Sequence, residues 1–291
     1  MTVDIDRLER VAVLGFGAMG AGIAQVCAQA GLEVAVLDVD AERLEAGRER
    51  MARFLAGGVE RGKVAPEERD AALERVRGVG EPSDLAGADV VIEAVVEDLV
   101  LKRDLLRDVA HVVGEKALIA TNTSALAVAD LAAAVPAPER VGGLHFFNPA
   151  PVMKLVEVVE AVATAPETTR ALEALARRIG KEPVVTKDRP GFLVNRLLMP
   201  YLNQVVQDYD DGLASAEDLD AALELGLGYP MGGLKLLDLV GLDVHRNATA
   251  AAWEQTRDPH LVPPPLLERM VAAGRLGRKS GRGFYDYDDD A

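Results

Sequence analysis

Residues 11–31 read VAVLGFGAMGAGIAQVCAQAG, and this stretch decides the fold class. Its first four residues are apolar, which is typical of a buried strand. Apolar residues then recur at helical spacing from residue 19 to residue 30, and Gly31 follows as a helix stop. A strand that turns directly into a helix predicts the first half of a βαβ unit.

The same alternation continues well beyond this stretch. Further buried strands are predicted at residues 33–37, 89–95, 117–120, 141–145, 155–159 and 183–186. Residues 42–75 are charged and helical in pattern with a break at Gly57-Gly58, which predicts a helical hairpin outside the sheet. We therefore expect an α/β fold with a doubly wound, Rossmann-type sheet that binds its ligands beyond the carboxyl ends of the strands.

After residue 187 the strand pattern ends and helical segments follow alone. This change predicts a Rossmann domain at residues 1–187 and an all-helical domain at residues 188–291. One helix of the second domain carries a wide apolar face made of Tyr201, Leu202, Val205, Val206 and Tyr209. We do not expect so small a domain to bury this face alone, so the pattern predicts a homodimer.

Composition and charge exclude several classes of protein. Of the 291 residues, 49% are hydrophobic and 27% are charged, as in globular proteins and unlike disordered, collagen-like or coiled-coil chains. A formal net charge of -15 repels nucleic acid and anionic lipid, so neither is an expected partner. No apolar stretch reaches the roughly 20 residues of a membrane span. The acidic first ten residues lack the apolar core of a secretory signal, which predicts a cytoplasmic protein.

The chain has a single cysteine, Cys27. One cysteine cannot form an internal disulfide, and it excludes a cysteine-rich metal site. Its place on the apolar stripe of a predicted helix indicates a buried structural thiol. We expect no metal site.

The segment between the first strand and helix fits the G-x-G-x-x-G motif of dinucleotide sites. Its glycines permit a tight turn, close approach of the backbone to a pyrophosphate, and close packing of helix on strand. The N–H groups at the helix start then receive the phosphates. A glycine-rich turn without a ligand is the alternative, which this context disfavours. The motif predicts a cofactor site at Gly15, Gly17, Ala18, Met19 and Gly20.

Asp38 ends the second predicted strand, eighteen residues after Gly20. A carboxylate at this position accepts hydrogen bonds from the adenosine ribose hydroxyls. A 2′-phosphate would meet Asp38 and Asp40 as like charges, and Arg43 alone is a poor remedy. The spacing therefore predicts NAD, with Asp38 and Arg43 at the cofactor, although a plain turn at the strand end remains the alternative for Asp38.

His145 lies at the end of a predicted strand, and Glu157 follows twelve residues later on the apolar face of the next one. A buried carboxylate needs a partner. His145 is the economical partner, because a carboxylate would orient the imidazole and stabilise the imidazolium formed when it accepts a proton. On these residues alone, a core histidine and a glutamate paired elsewhere are an equal alternative.

Polar side chains near the same sheet edge offer further groups. The stretch Thr121-Asn122-Thr123-Ser124 follows a strand and brings hydroxyl and amide groups, with Asn122 predicted at the cofactor. A turn of the Asx or Ser/Thr type is the alternative. Asn195 lies in an otherwise apolar helix, where an unpartnered amide is costly. It therefore contacts the first domain or a ligand, or it bonds locally.

Six segments in order resemble the short-chain L-3-hydroxyacyl-CoA dehydrogenase family, in particular its bacterial 3-hydroxybutyryl-CoA members. They are residues 15–20, 121–124, 142–157, 189–200, 228–243 and 274–287. The resemblance spans nearly the full chain and implies a Rossmann domain, a helical dimerisation domain, and a cleft between them for NAD and acyl-CoA. One departure is Gly233, which stands where family members usually have the proline of Met-Gly-Pro.

The resemblance also implies roles for individual residues. His145 corresponds to the catalytic base and Glu157 to its carboxylate partner, while Ser124 and Asn195 match residues that polarise the substrate oxygen. Lys63 is placed near the CoA phosphates. Positions that match NAD contacts are Glu97, Lys102, Asn148 and Lys279.

The expected activity is hydride transfer between NAD(H) and C3 of a short-chain (S)-3-hydroxyacyl-CoA or 3-ketoacyl-CoA. A second interpretation places the same chemistry on a carrier-protein-bound hydroxyacyl thioester. The sequence Gly233-Leu234-Lys235 leaves room for it, although a charge of -15 suits an acidic carrier poorly. A third interpretation is a non-catalytic NAD-binding protein, which the presence of the four candidate catalytic residues disfavours.

Overall fold

The computed structural model of the chain describes residues 8–287 and divides into two compact units, Met1–Phe192 and Leu193–Ala291. The sequence places its domain boundary five residues earlier, after residue 187. Residues 1–7, on which the expectation of a cytoplasmic protein partly rests, lie outside the described residues. Within residues 8–287, no helix is long and apolar enough to cross a membrane, and no group of three metal-ligating side chains comes together.

The first unit is built on an eight-stranded sheet of order β3-β2-β1-β4-β5-β6-β7-β8. The strands are β1 (Arg10–Leu14), β2 (Glu33–Leu37), β3 (Val76–Val79), β4 (Val90–Glu93), β5 (Leu118–Thr121), β6 (Val141–Phe146), β7 (Leu155–Glu160) and β8 (Glu182–Lys187). Every neighbouring pair is parallel except β6 and β7. The strand order switches direction between β1 and β4, where sheets of this kind bind ligands.

Helices cover both faces of this sheet. They are α1 (Ala18–Gln29), α2 (Ala41–Glu60), α3 (Pro66–Glu74), α4 (Leu99–Val112), α5 (Val128–Ala132) and α6 (Pro166–Arg178). Val11 and Val13 of β1 pack into the core that contains α1 and α6, whereas Ala12 and Leu14 pack into the core that contains α4 and α5. Successive side chains of a strand point to opposite faces, so a strand buried on both sides is apolar throughout. This arrangement confirms the predicted fold class.

Between β2 and β4, the predicted helix break is wrong and one strand was not predicted. The hairpin of α2 and α3 is present, but α2 does not break at Gly57-Gly58 and continues to Glu60. A Cβ on Gly58 would lie 2.9 Å from the side chain of Val64, so this glycine lets the following loop pack on the helix. Strand β3 escapes prediction because its sequence, VRGV, is not an apolar run; pairing with β2 places it in the sheet.

The second unit is helical in its described residues, apart from two isolated bridges near residue 282. Its helices are α7 (Val194–Asp210), α8 (Ala216–Leu227), α9 (Gly233–Val240), α10 (Leu242–Thr256) and α11 (Pro265–Ala272). The apolar face of α7 enters the core of this unit, where Leu202 is 2% exposed and Val206 is 0% exposed. The expectation that the domain cannot bury this face alone is therefore wrong, because α9, α11 and the terminal aromatic residues cover it.

A buried carboxylate caps the start of α9, the helix that begins at Gly233, where family members usually have proline. Asp220 of α8 is 0% exposed and accepts hydrogen bonds from the N–H groups of Leu234 and Lys235, at 2.9 and 3.0 Å. The first N–H groups of a helix lack partners within it and need such a cap. Asp220 thus caps α9 with Gly233 as the first residue of the helix.

His245 of α10 is a buried histidine of the second unit. Its Nε2 lies 2.9 Å from Oδ1 of Asn203 in α7, and the Asn203 amide nitrogen donates to the Thr249 hydroxyl at 2.9 Å. Burial lowers the pKa of His245 to about 4. The imidazole is therefore neutral at pH 7 and donates its Nε2 hydrogen to Asn203.

We expect the second unit to lose stability as the pH falls from about 6.5 to about 4. In this window the unfolded chain binds a proton at His245 and the folded chain does not, so acid favours unfolding. The expected loss is on the order of 1 kcal/mol per pH unit. Urea unfolding at pH 7 and pH 5 measures it through the fluorescence of Trp253, the single tryptophan, which lies in α10.

The control is His245→Gln, which keeps a donor for Asn203 but does not titrate. The free energy of unfolding of this variant should change little between pH 7 and pH 5. The difference between the two proteins should equal the part that His245 contributes to the loss in the parent protein. An equal pH dependence in both proteins would show that another group is responsible.

Candidate active site

The loop between β1 and α1 is shaped for a bound group. Gly15 has a φ of +90°, and a Cβ there would lie 2.8 Å from the carbonyl oxygen of Ala94. A Cβ on Gly20 would lie 1.9 Å from the carbonyl oxygen of Gly15. By contrast, no atom lies within 4 Å of a Cβ built on Gly17, which is the N-cap of α1 and makes no side-chain cap. The start of this helix is thus open to a pyrophosphate.

Asp38 closes this loop from the end of β2. Its half-buried carboxylate accepts hydrogen bonds from the N–H groups of Phe16 and Val39, at 2.6 and 2.7 Å. Carboxylate oxygens have further lone pairs, which a ribose hydroxyl can use. Arg43 is exposed in the first turn of α2, where its N–H donates to Asp40 at 2.8 Å. Contact of the Arg43 guanidinium with a cofactor stays a prediction.

His145 and Glu157 lie directly opposite each other in the antiparallel pair of β6 and β7. The imidazole Nδ1 is 2.6 Å from Oε2 of Glu157, and the two residues are 4% and 0% exposed. An ionised carboxylate only accepts hydrogen bonds, so Nδ1 carries the hydrogen and Nε2 is the acceptor. Nε2 lies 3.1 Å from Oγ of Ser124 in the loop after β5. The structure thus brings together three of the four predicted catalytic residues.

A buried network of charges lies beneath the Ser124 loop. Glu93, at the end of β4, is 0% exposed and accepts from the Lys102 ammonium and from the Thr121 hydroxyl, both at 2.7 Å. Lys102 also lies 3.1 Å from Oε2 of Glu97. Since its ammonium is surrounded by protein oxygens, a direct contact between Lys102 and NAD stays a prediction.

Glu97 connects this network to the Ser124 loop. Its Oε1 accepts from the Thr123 hydroxyl at 2.5 Å and from the N–H groups of Ser124 and Ala125 at 2.9 and 3.0 Å. Burial by itself raises the pKa of Glu97, but the charge of Lys102 and the hydrogen bonds from Thr123 and Ala125 outweigh burial and hold that pKa below its ordinary value. The ionised Glu97 therefore orients the backbone that carries Ser124.

A cavity of about 270 Å³ in the first unit connects these parts. It is lined by Met19, Ala94, Val95, Glu97, Lys102, Asn122, Ser124 and Ala125. The Asn122 Oδ1 also accepts from the N–H of Phe146 at 2.8 Å, which ties the cavity wall to the strand of His145. A cavity of about 670 Å³ lies beside Arg140, away from the predicted site residues. The smaller cavity is lined by four residues that the sequence analysis predicts at the cofactor, Met19, Glu97, Lys102 and Asn122, and it therefore fits the predicted cofactor site.

Among the described residues, four further predicted site residues make no hydrogen bond or ion pair with the residues of this cluster, and two of them belong to the second unit. In the first unit, Lys63 is exposed between α2 and α3, and Asn148 is exposed after β6. In the second unit, Asn195 is half-buried in the first turn of α7, and the Lys279 ammonium lies 2.5 Å from Oδ1 of Asp243. Contacts of these four residues with NAD or substrate stay predictions.

Three residues that the structure places at the site are not among those predicted from the sequence. Glu93 has a usable signal, because an acidic residue that ends an apolar run at the carboxyl end of a strand points to the ligand edge. The rings of Phe147 and Phe192 lie 4.7 and 5.5 Å from the His145 ring, measured between centroids. No local pattern marks Phe192, which reaches His145 only through the fold.

Family models match both units of the chain. Residues 10–189 match "3-hydroxyacyl-CoA dehydrogenase, NAD binding domain" and residues 191–287 match "3-hydroxyacyl-CoA dehydrogenase, C-terminal domain". The chain is 45% identical to the 3-hydroxybutyryl-CoA dehydrogenase of Mycobacterium tuberculosis, over 97% of this chain and 99% of that one. It is 39% identical to the probable 3-hydroxybutyryl-CoA dehydrogenase of Bacillus subtilis, over 97% and 99% of the two chains.

Solved structures agree with these matches. The (S)-3-hydroxybutyryl-CoA dehydrogenase of Ralstonia eutropha superposes with a TM-score of 0.94 at 39% identity, and the match covers 97% of this chain and 100% of that chain. The fold, the glycine loop and these matches define an NAD-dependent oxidoreductase. More specifically, the chain belongs to the 3-hydroxyacyl-CoA dehydrogenase family, which confirms the resemblance seen in the sequence and the prediction of NAD.

Loss of the positive charge of Lys102 should destabilise the first unit. The Lys102→Met substitution keeps an apolar stem but leaves the Glu93 carboxylate buried without its cation, a loss that costs about 3–5 kcal/mol. Urea unfolding followed by far-ultraviolet circular dichroism measures the free energy of unfolding. The matched control, Lys102→Met with Glu93→Gln, removes both charges and should recover most of the loss. If single and double variants are equally destabilised, the unpaired charge is not the cause.

Proposed function

We propose that the protein interconverts short-chain (S)-3-hydroxyacyl-CoA and 3-ketoacyl-CoA, with His145 as general base and acid. The observation that carries this proposal is the buried His145–Glu157 pair, 2.6 Å apart, whose second imidazole nitrogen lies 3.1 Å from the Ser124 hydroxyl. The similar proteins of M. tuberculosis and R. eutropha are named for 3-hydroxybutyryl-CoA, which supports a short acyl chain.

In the proposed mechanism, Nε2 of His145 accepts and returns the proton. In the oxidation direction, Nε2 of His145 accepts the proton of the substrate hydroxyl, because Nδ1 already carries a hydrogen. Glu157 accepts that Nδ1 hydrogen bond and offsets the positive charge of the imidazolium. When bound, NAD supplies the acceptor for the hydride that leaves C3. In the reverse direction the imidazolium returns its proton to the same oxygen.

Hydrogen-bond donors on the substrate oxygen complete the proposal. The Ser124 hydroxyl lies 3.1 Å from Nε2 of His145, so an oxygen that contacts the imidazole is also within reach of this hydroxyl. Such donors stabilise charge that develops on oxygen during the reaction. For Asn195, the same role is proposed from the family resemblance alone.

The bound cofactor would be held by groups at the sheet edge. The open backbone at Gly17 and the uncapped start of α1 suit the pyrophosphate, and the Asp38 carboxylate suits a ribose hydroxyl. Glu97 acts on the reaction through the loop of Ser124, which its carboxylate holds.

The substitution His145→Gln should reduce turnover of acetoacetyl-CoA with NADH by about 10²- to 10⁴-fold, the usual contribution of a positioned general base. NADH binding, followed by its fluorescence, should be unchanged because the glycine loop is untouched. The matched control is His111→Gln, at an exposed histidine of α4, which should keep parent activity.

Three outcomes of this assay bear on the proposal. Near-normal turnover in His145→Gln would remove His145 from the mechanism. Turnover of a carrier-protein-bound 3-ketoacyl thioester, but not of acetoacetyl-CoA, would change the substrate and keep the chemistry. Tight NADH binding by the parent protein without turnover of either substrate would favour a non-catalytic NAD-binding role.

We also propose a homodimer formed through the helical unit, in the cytoplasm. Apolar side chains at the end of α8 stay exposed: Leu225 is 88%, Leu227 is 62% and Tyr229 is 44% exposed. Contiguous exposed apolar side chains mark association surfaces. Burial raises the pKa of Cys27 to about 12, and an unreactive lone thiol suits a reducing compartment.

Sedimentation equilibrium tests the dimer. We expect twice the mass of one chain for the parent protein and a shift towards the monomer for Leu225→Glu, because burying a carboxylate in an apolar interface is costly. Sedimentation of the parent protein at the mass of one chain would contradict the proposal.

A further inference from the structure

Phe192 has an unusual backbone for an aromatic residue. Its φ is +48°, in the left-handed region that L-residues with a Cβ rarely adopt, and it follows Gly191, whose φ is +76°. Strained residues of this kind persist only where the surroundings hold them, and they cluster at functional sites. Phe192 is the last residue of the first unit.

Several contacts within the first unit hold Phe192 in this conformation. Its N–H donates to the carbonyl oxygen of Arg189 at 2.8 Å, which closes a tight turn. The side chain is 3% exposed and packs with Val128 of α5 and with Val159 of β7. Asp188, just before the turn, accepts from the N–H groups at the start of α5, at 3.1 Å and 2.8 Å. The backbone before Phe192 is therefore anchored to α5, and the Phe192 side chain itself is held by the core.

The ring of Phe192 meets the imidazole of His145. The two centroids are 5.5 Å apart with an interplanar angle of 62°, an edge contact, and Phe147 adds a second ring at 4.7 Å. Glu157 lies at Nδ1 of the imidazole, and the Ser124 hydroxyl lies at Nε2. Hydrogen bonds at the two nitrogens leave the ring plane free to tilt about the line that joins them, whereas packed aromatic rings restrict that tilt.

We propose that Phe192 is a positioning residue for His145: its ring, held by a strained turn, fixes the orientation in which Nε2 meets Ser124 and the substrate. The inference rests on the proposed function of His145. It assigns the strain at Phe192 to the site as well as to the core, since the turn brings a second ring to the imidazole beside that of Phe147.

Three substitutions separate the ring from the strained backbone. Phe192→Leu keeps apolar volume in the pocket but loses the flat ring. Phe192→Ala loses the ring and keeps the strain of a Cβ at positive φ, whereas Phe192→Gly loses both. The urea midpoint should therefore be higher for the glycine variant than for the alanine variant, although both lack the ring.

Activity should depend on whether the aromatic ring is present and not on the stability of the variant. We expect kcat for acetoacetyl-CoA to fall about 10- to 100-fold in both the glycine and the alanine variants, because a small misplacement of a catalytic group is costly. The kcat of the leucine variant should lie between that of these two variants and that of the parent protein. The KM for NADH should stay unchanged, since Phe192 does not contribute uniform binding. Recovery of parent kcat in Phe192→Gly, but not in Phe192→Ala, would assign the effect to backbone strain and overturn the proposal.

A second readout does not depend on activity. With ¹³C-labelled histidine, the ring signals of the four histidines are resolved by NMR, and His145→Gln identifies the His145 signal. This signal should be sharp in the parent protein and broadened by exchange in the Phe192 variants, because the imidazole samples several orientations. The matched control is Phe284→Leu, which removes a buried ring in edge contact with Tyr209 of the second unit and should leave the His145 signal unchanged.

The two readouts judge the two proposals separately. A parent protein that turns over no 3-ketoacyl thioester contradicts the proposed function, while broadening of the His145 signal still supports the positioning role. A sharp, unmoved His145 signal in all three Phe192 variants overturns the positioning role, even if their kcat falls.

Discussion

The candidate site depends on one antiparallel pair of strands in an otherwise parallel sheet. Because β7 runs against β6, His145 and Glu157 lie directly opposite each other, and opposite residues of an antiparallel pair share one face of the sheet. On this shared face, the Glu157 carboxylate lies 2.6 Å from the His145 imidazole, and both groups are buried. Tautomer, acceptor nitrogen and proposed proton transfer all follow from this one contact.

Three buried charged side chains of the first unit lie at the candidate site. Glu93, Lys102 and Glu157 are each at most 1% exposed, and each ionic group has an oppositely charged or hydrogen-bonding partner within the first unit. Isolated charges in such an environment would be prohibitively costly. Between their ends, the central strands β1, β4 and β5 are apolar on both faces. Stability is thus provided by the sheet interior, while its carboxyl edge holds the polar network that the chemistry needs.

Much of this arrangement could be predicted from local patterns. The glycine spacing at residues 15–20, the apolar strands and the acid at Asp38 are short-range features, and each appears in the structure where it is expected. The pairing of His145 with Glu157 could be proposed because a buried acid needs a partner. Strand β3 could not be predicted, since its VRGV sequence becomes a strand only beside β2. The burial of the α7 face within one unit depended on the later helices in the same way.

The sequence by itself determined the fold class, the cofactor loop and the family, because periodicity, glycine and motif spacing act over a few residues and need no distant partner. Only the tertiary structure decided which buried groups meet. The strand register set the His145–Glu157 contact, the network of Glu93 and Lys102 set the Ser124 loop, and a strained turn brought Phe192 to the imidazole. Such contacts join residues far apart in the chain, and their energy exists only once the chain has packed.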